Sequence, residues 1–257
     1  MEYLHLFKIN ISSNNHLNTE VHIMRKIRSS TTQSLIARYN AHEDRLINLF
    51  SEHSSLTSIQ DWTDEAFIAL LLQLGHLSTT FVTWYEQTKL CIRDERAKEL
   101  IRRILRDEIP RDAPTHQDDR VADLELINVS REKTLCTSAT STTQQTIRSL
   151  KRLTSYRADD CDLRLLVTLR IAGEVLVGET YRFIVPQLEH RFGLTAEHSR
   201  FYVPHFVHDR KDADQGGHTQ AFDALLTEWI TDETTLAIAI KAADAAFRVR
   251  YAFYNQF

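Results

Sequence analysis

Apolar residues recur along this chain at steps of three and four, the period of one face of a helix. Between His22 and Phe50 they fall at Ile23, Ile27, Leu35, Ile36, Tyr39, Leu46, Ile47 and Phe50, which predicts one long helix or two. A polar turn, SEHSSLTSIQD, leads into Trp62 to Leu90, where Phe67, Leu70, Leu71, Leu74, Leu77, Phe81, Trp84 and Tyr85 keep the period. Asp94 opens a shorter helix, DERAKELIRRILRDEI, which Pro110 stops or bends. Thr115 is a natural N-cap for the next, and the Ser/Thr cluster CTSATSTTQQ reads as a loop or cap before a helix from about Thr143 to Tyr156. Residues Asp160 to Phe192 are apolar almost all round, the mark of a central helix buried on most sides, with Gly193 as its C-cap. A further helix starts at Thr195 or Ala196 and runs through FYVPHFVHDRKD. After the interruption DADQGG, the segments HTQAFDALLTEWI and TTLAIAIKAADAAFRVRYAFYNQF close the chain. The pattern predicts an all-α domain over residues 21–257, seven to nine helices in a compact bundle, behind a polar arm at residues 1–20.

Composition sharpens this. The 257 residues include only 6 Gly and 4 Pro, against roughly 31 expected from average usage, which excludes turn-rich sandwiches and barrels. Lys and Arg number 31 against 35 Asp and Glu, and no basic block points to a nucleic acid or an anionic membrane. Cys91, Cys136 and Cys161 are widely spaced and odd in number, which implies neither a disulfide framework nor a zinc ribbon and fits a reducing cytoplasm. The N-terminus lacks a secretory pattern, and the longest apolar run, Phe67 to Leu74, is broken by Gln73, so the protein reads as soluble and cytoplasmic.

Twelve histidines are the unusual count, and they bring chemistry into the picture. Glu108 lies on the apolar stripe of Ile101, Ile104 and Leu105 without a basic partner on its face, whereas Asp107 looks back to Arg103. A buried carboxylate of this kind is hydrogen-bonded, protonated, or bound to a cation. In the central helix Glu179 stands among Ala172, Val175, Leu176, Phe183 and Pro186, while Glu174 has Arg170 one turn back. In FYVPHFVHDRKDADQGGHT, His205 and Asp209 share a helical face, His208 and Asp212 form an alternative pair, and His218 follows the glycines. With His116 these make a mixed carboxylate and imidazole set drawn from separate helices. Such a set suits a carboxylate-bridged di-iron or di-manganese centre more than a structural zinc. No predicted helix carries the Glu-x-x-His of ferritin-like bundles, so a different bundle has to hold the metals.

On these residues the chain resembles the haem-oxygenase-like di-iron oxidases, whose fold is shared with thiaminase-II-like proteins and pyrroloquinoline-quinone synthase. The likeness covers about residues 45–230. The stretch LFSEHSSLTSIQDWTDEAFIALLLQLGHLSTTFVTWYEQTKL is similar to that family's first helices. LRDEIPRDAPTHQDDRVADLELINVS is similar to its Glu-then-His segment, GETYRFIVPQLEHRFGL to the helix of the central glutamate, and FYVPHFVHD to the start of its H-x-x-x-D-x-x-H motif. The resemblance implies Glu108, His116, Glu179, His205 and Asp209 as metal ligands. The motif's last histidine would fall at Asp212, so either His218 or Asp212 completes the set, or one metal site is weakened.

The implied activity is that of a non-haem di-iron enzyme using two Fe(II) ions, or manganese, with O2 as co-substrate. It would cleave a C–C bond, oxygenate nitrogen or desaturate a small amino-acid-like or fatty-acid-like metabolite in specialised biosynthesis. Tyr181, Phe183 and Arg182 are the candidate substrate contacts, with Phe201, Tyr202 and Phe206 as further pocket walls; Arg182 would pair with a carboxylate or else form a surface salt bridge. The expected partner is a small-molecule substrate, without nucleic acid or membrane, and a homodimer is compatible with the sequence. Two alternatives stand beside this: a metal-free enzyme of the same fold, and a non-enzymatic helical protein that uses TTLAIAIKAADAAF as a partner surface.

Overall fold

The computed structural model describes residues 33–155, 162–208 and 217–257. Every regular element among them is helical, and no strand occurs among the described residues. Helix α1 covers residues 33–51. It is followed by α2 (Ser54–Thr57), α3 (Asp64–Cys91), α4 (Glu95–Glu108), α5 (His116–Leu126), α6 (Arg131–Cys136) and α7 (Ser141–Leu153). Then come α8 (Asp162–Leu169), a π-helical turn (Arg170–Val175), α9 (Leu176–Phe192), α10 (Tyr202–His208), α11 (His218–Trp229) and α12 (Glu233–Phe253).

The helix ends lie where short polar side chains can satisfy free backbone N–H groups. Thr63 accepts from the Ala66 amide to start α3, and Asp94 accepts from Arg96 and Ala97 to start α4. Thr115 and Asp118 form a reciprocal capping box on α5, as Asp232 and Thr235 do on α12. Gly193 ends α9 at φ 68°, a left-handed conformation that a side chain would strain. The polar turn expected after Phe50 contains α2 and a 3-10 turn at Ile59–Asp61. One placement differs from expectation. Residues 195–198 form a turn closed by the His198 amide on the Thr195 carbonyl, so the next helix starts at Tyr202. Pro186 sits inside α9, which runs on to Phe192 as expected.

Helix α3 is the centre of the bundle and packs against α4, α5, α7 and α8. It is long enough, and apolar enough over an 18-residue stretch, to cross a membrane, yet Phe67, Leu70, Leu71, Leu77 and Tyr85 are buried in the core. Gln73, which breaks its apolar run, is buried and tied to the start of α7. Its Nε2 donates to the Ser138 carbonyl, and its Oε1 accepts from the Thr140 amide and the Thr143 hydroxyl. Helix α12 lays Leu236, Ala239, Ala242, Ala243 and Ala246 against its neighbours, chiefly α7 and α8. Its small side chains let these helices approach closely. The apolar face of TTLAIAIKAADAAF is therefore core, which removes it as a partner surface.

Candidate metal centre

The site forms where α4, α5, α10, α11 and the π-helical turn meet. Glu108 is the last residue of α4, buried as its apolar stripe predicts. Pro110 and Pro114 turn the chain so that His116, the first residue of α5, comes back to it. His116 Nδ1 lies 3.0 Å from Glu108 Oε2, yet this buried nitrogen has no aligned hydrogen-bond partner. His205 of α10 approaches from the other side, its Nε2 3.9 Å from Glu108 Oε1 and its ring 4.6 Å from that of His116 between centroids. Ligand atoms of Glu108, His116 and His205 all lie within 4.8 Å of one another.

His205 is held in one tautomer. Its Nδ1–H donates to the Phe201 carbonyl at 2.7 Å, which leaves the Nε2 lone pair facing the cluster. Burial, with the neighbouring His116 adding to it, pushes its pKa down to about 3, so the ring is neutral near pH 7. For His116 burial acts in the same direction, but the Glu108 carboxylate outweighs it and raises the pKa. Two imidazoles, that of His205 neutral, and a carboxylate converging on one point form a donor set that fits a divalent cation.

A second group of residues adjoins the first. His218, the first residue of α11, has Nδ1 3.4 Å from Glu174 Oε2 and Nε2 3.2 Å from Asp107 Oδ2. The partner of Asp107 is thus His218, not Arg103. Glu174 is almost completely buried and accepts a short hydrogen bond from the Tyr85 hydroxyl. His218 lies near enough to His116 and His205 for its charge to oppose protonation of both, which sets this second group beside the first.

The glutamate of this stretch that the structure brings beside a histidine is Glu174 rather than the expected Glu179. Glu179 is hydrogen-bonded to the Ser51 hydroxyl at 2.5 Å and to Arg182 at 3.1 Å, away from the histidines. Glu174 occupies the place instead, because Arg170–Val175 forms a π-helical turn that shifts the register of the helix. The Arg170 partner predicted for Glu174 is engaged elsewhere. Its guanidinium forms a bidentate pair with Glu43 at 2.8 and 3.0 Å and reaches Asp223 at 3.0 Å. One signal in the sequence points there: Glu43 lies on the buried stripe of Tyr39, Leu46 and Phe50, and a carboxylate in that position needs a cation. Asp209 and Asp212 lie outside the described residues. His208 is exposed.

A cavity of about 40 Å³ adjoins Glu108, Glu174 and His205. Its walls include Leu74, Leu77, Phe81, Trp84, Tyr181 and Phe201. Tyr181 is thus a lining residue as expected. Phe183 packs against the core outside the cavity lining, and the Arg182 side chain is 61% exposed and paired with Glu179, a surface salt bridge. Asp123 supports the site from below. One helical face carries both His116 and Asp123, and the Asp123 carboxylate accepts from the Ser199 hydroxyl and the Arg200, Phe201 and Tyr202 amides. It thereby fixes the start of α10, the helix that carries His205.

No family model and no curated protein matches the chain. Solved structures do. A TenA homologue from Pseudomonas syringae pv. tomato is 14% identical over 87% of this chain and 90% of its own, with a TM-score of 0.61. A domain of unknown function from Shewanella denitrificans, described as having a heme oxygenase-like fold, is 12% identical over 87% and 90%, with a TM-score of 0.65. A CADD-like protein of unknown function from Nostoc punctiforme is 10% identical over 86% and 94%, with a TM-score of 0.61. At these identities the likeness is one of architecture, and it covers nearly the whole of both chains in each comparison: this chain has the haem-oxygenase-like fold.

Proposed function

We propose that the protein is an O2-dependent non-haem di-iron oxidase or oxygenase acting on a small metabolite. The observation that carries this reading is the convergence of Glu108, His116 and His205, whose ligand atoms all lie within 4.8 Å of one another. These three would hold one ion, and Glu174 with His218 would serve the other, joined by Asp209 as the sequence motif implies. When bound, the iron pair would supply reduction of O2 and the oxidising power to cleave a C–C bond, oxygenate nitrogen or desaturate the substrate. The chain's own residues do the rest. The Phe201 carbonyl orients His205, the Tyr85 hydroxyl hydrogen-bonds Glu174, and the apolar walls around Leu77, Phe81 and Trp84 keep water from the reacting end.

The test is metal analysis after anaerobic loading with Fe(II), followed by an oxygen-consumption screen. About two irons per chain are expected, as in other bundle-held carboxylate centres, with iron lost in His205→Ala and in Glu174→Ala but retained in Glu179→Ala. Full iron content in both His205→Ala and Glu174→Ala would sink the reading. A metal-free enzyme of the same fold is the second reading, supported by the TenA homologue among the similar structures. It requires turnover that survives chelation.

A further inference from the structure

The cavity beside the proposed centre has a cationic wall that the metal reading leaves unused. Arg250, on α12, lines it together with Glu108, Glu174 and His205. The residue is only 3% exposed, its Nε lacks a hydrogen-bond acceptor, and among the described residues no carboxylate pairs with it. The other buried arginines of the bundle are placed differently. Arg170 is clamped by Glu43 and Asp223; Arg120, whose Nε and Nη1 also lack acceptors, donates through Nη2 to the Gln117 carboxamide and lies outside the cavity lining, so Arg250 is the arginine that faces the cavity. The two carboxylates that share the cavity with Arg250 are engaged with other groups, Glu108 beside His116 and Glu174 with Tyr85 and His218. A buried guanidinium without an anion costs free energy in the empty protein, and a ligand that brings the anion recovers it.

We infer that the cavity binds a compact carboxylate, with Arg250 as its counter-ion. The planar guanidinium suits a carboxylate through paired N–H donors. The body of the ligand would lie along Leu74, Leu77, Phe81, Trp84 and Val177. The small volume, about 40 Å³, leaves no room for a long chain and selects a short-chain acid over a long-chain fatty acid. The placing of the ligand's free end at the Glu108 and His205 side as the reacting end rests on the di-iron reading. The counter-ion role of Arg250 does not.

Calorimetric titration of chelator-treated, metal-free protein separates the two. Pentanoate should bind, while the equally shaped neutral pentanamide and the longer decanoate should bind far more weakly. Arg250→Gln should raise the pentanoate Kd by roughly 30-fold or more, the usual consequence of removing one partner of a buried charge pair, and Arg250→Lys should fall between. Equal binding of pentanoate and pentanamide, undiminished pentanoate binding in a folded Arg250→Gln, or no pentanoate binding by the wild type would each overturn the inference. The acid-against-amide comparison needs no variant, so misfolding of Arg250→Gln would leave the test intact. After anaerobic reloading with Fe(II), the iron content of Arg250→Gln should equal that of the wild type. Failure of the wild type to hold iron, with pentanoate still bound through Arg250, would refute the di-iron reading and support the carboxylate site.

Discussion

Replacing Asp123 by alanine tests whether a buried cap on a neighbouring helix positions the proposed ligand His205. The carboxylate accepts four hydrogen bonds: Ser199 Oγ at 2.7 Å, Arg200 N at 2.7 Å, Phe201 N at 3.0 Å and Tyr202 N at 3.2 Å. It is completely buried, so water cannot stand in for it without rearrangement. Bonds to a charged acceptor contribute about 1.5–3 kcal/mol each, and donors left buried and unpaired cost about 1–3 kcal/mol each. These contributions are not additive, because the segment before α10 relaxes once its anchor is gone. A net loss of about 3–5 kcal/mol follows, a large share of the roughly 5–15 kcal/mol that stabilises a typical domain. Asp123→Asn should lose less but still be destabilised, because its amide oxygen can take the place of Oδ2 and keep three of the bonds while its NH2 group meets the Arg200 amide, donor against donor. Urea unfolding followed by circular dichroism reads the global loss as a lower midpoint at unchanged slope. Hydrogen exchange reads the local one, as faster exchange of the amides that begin α10. Iron affinity should fall with it, since His205 is oriented by the Phe201 carbonyl within that same turn. An Asp123→Asn protein with the wild-type urea midpoint and undiminished protection in α10 would refute the reasoning.

Two further outcomes follow from local geometry. A Cβ at Gly173 would lie 2.8 Å from the Tyr85 hydroxyl oxygen and 3.1 Å from Phe81 Cε2; Gly173→Ala should therefore destabilise by about 1–3 kcal/mol through overpacking and, by displacing Tyr85 from Glu174, weaken iron binding, which thermal unfolding and metal titration would measure. His53 Nδ1 accepts from the Ser55 amide while its Nε2 pairs with the Asn255 side-chain oxygen, so the ring is held neutral, and burial lowers its pKa from 6.5. The unfolded chain then binds more protons than the folded one below about pH 6.5, so stability rises with pH through that range and is lost as pH falls. His53→Asn should flatten this slope in urea titrations at pH 5 to 7.5, and an identical slope in both proteins would refute the assignment.

Much of the architecture was legible in the chain because helices that bury one face must repeat apolar residues every three or four positions. The stripes of α3, α4 and α12 and the caps at Asp94, Thr115 and Gly193 are properties of local sequence, and the structure keeps them. The burial of Glu108 followed from the same arithmetic. The start of α10 was not legible. It is set by Asp123, 79 residues before Tyr202, through hydrogen bonds that no local propensity announces.

The sequence by itself determined that this is a helical bundle holding carboxylates and imidazoles at helix ends, because periodicity and capping act over one or two turns. Only the tertiary structure decided which glutamate meets the histidines. On a regular α-helix Glu174 and Glu179 face different ways, and either could have been the inward one. Glu43 of α1 draws Arg170 away from Glu174, and the π-helical turn redirects that stretch toward Tyr85 and His218. It was likewise the closing of α12 against the bundle that carried Arg250 into the cavity wall, while Arg182, the arginine suggested by sequence position, remained at the surface. Charge pairing between distant helices chose among faces that local sequence left equivalent.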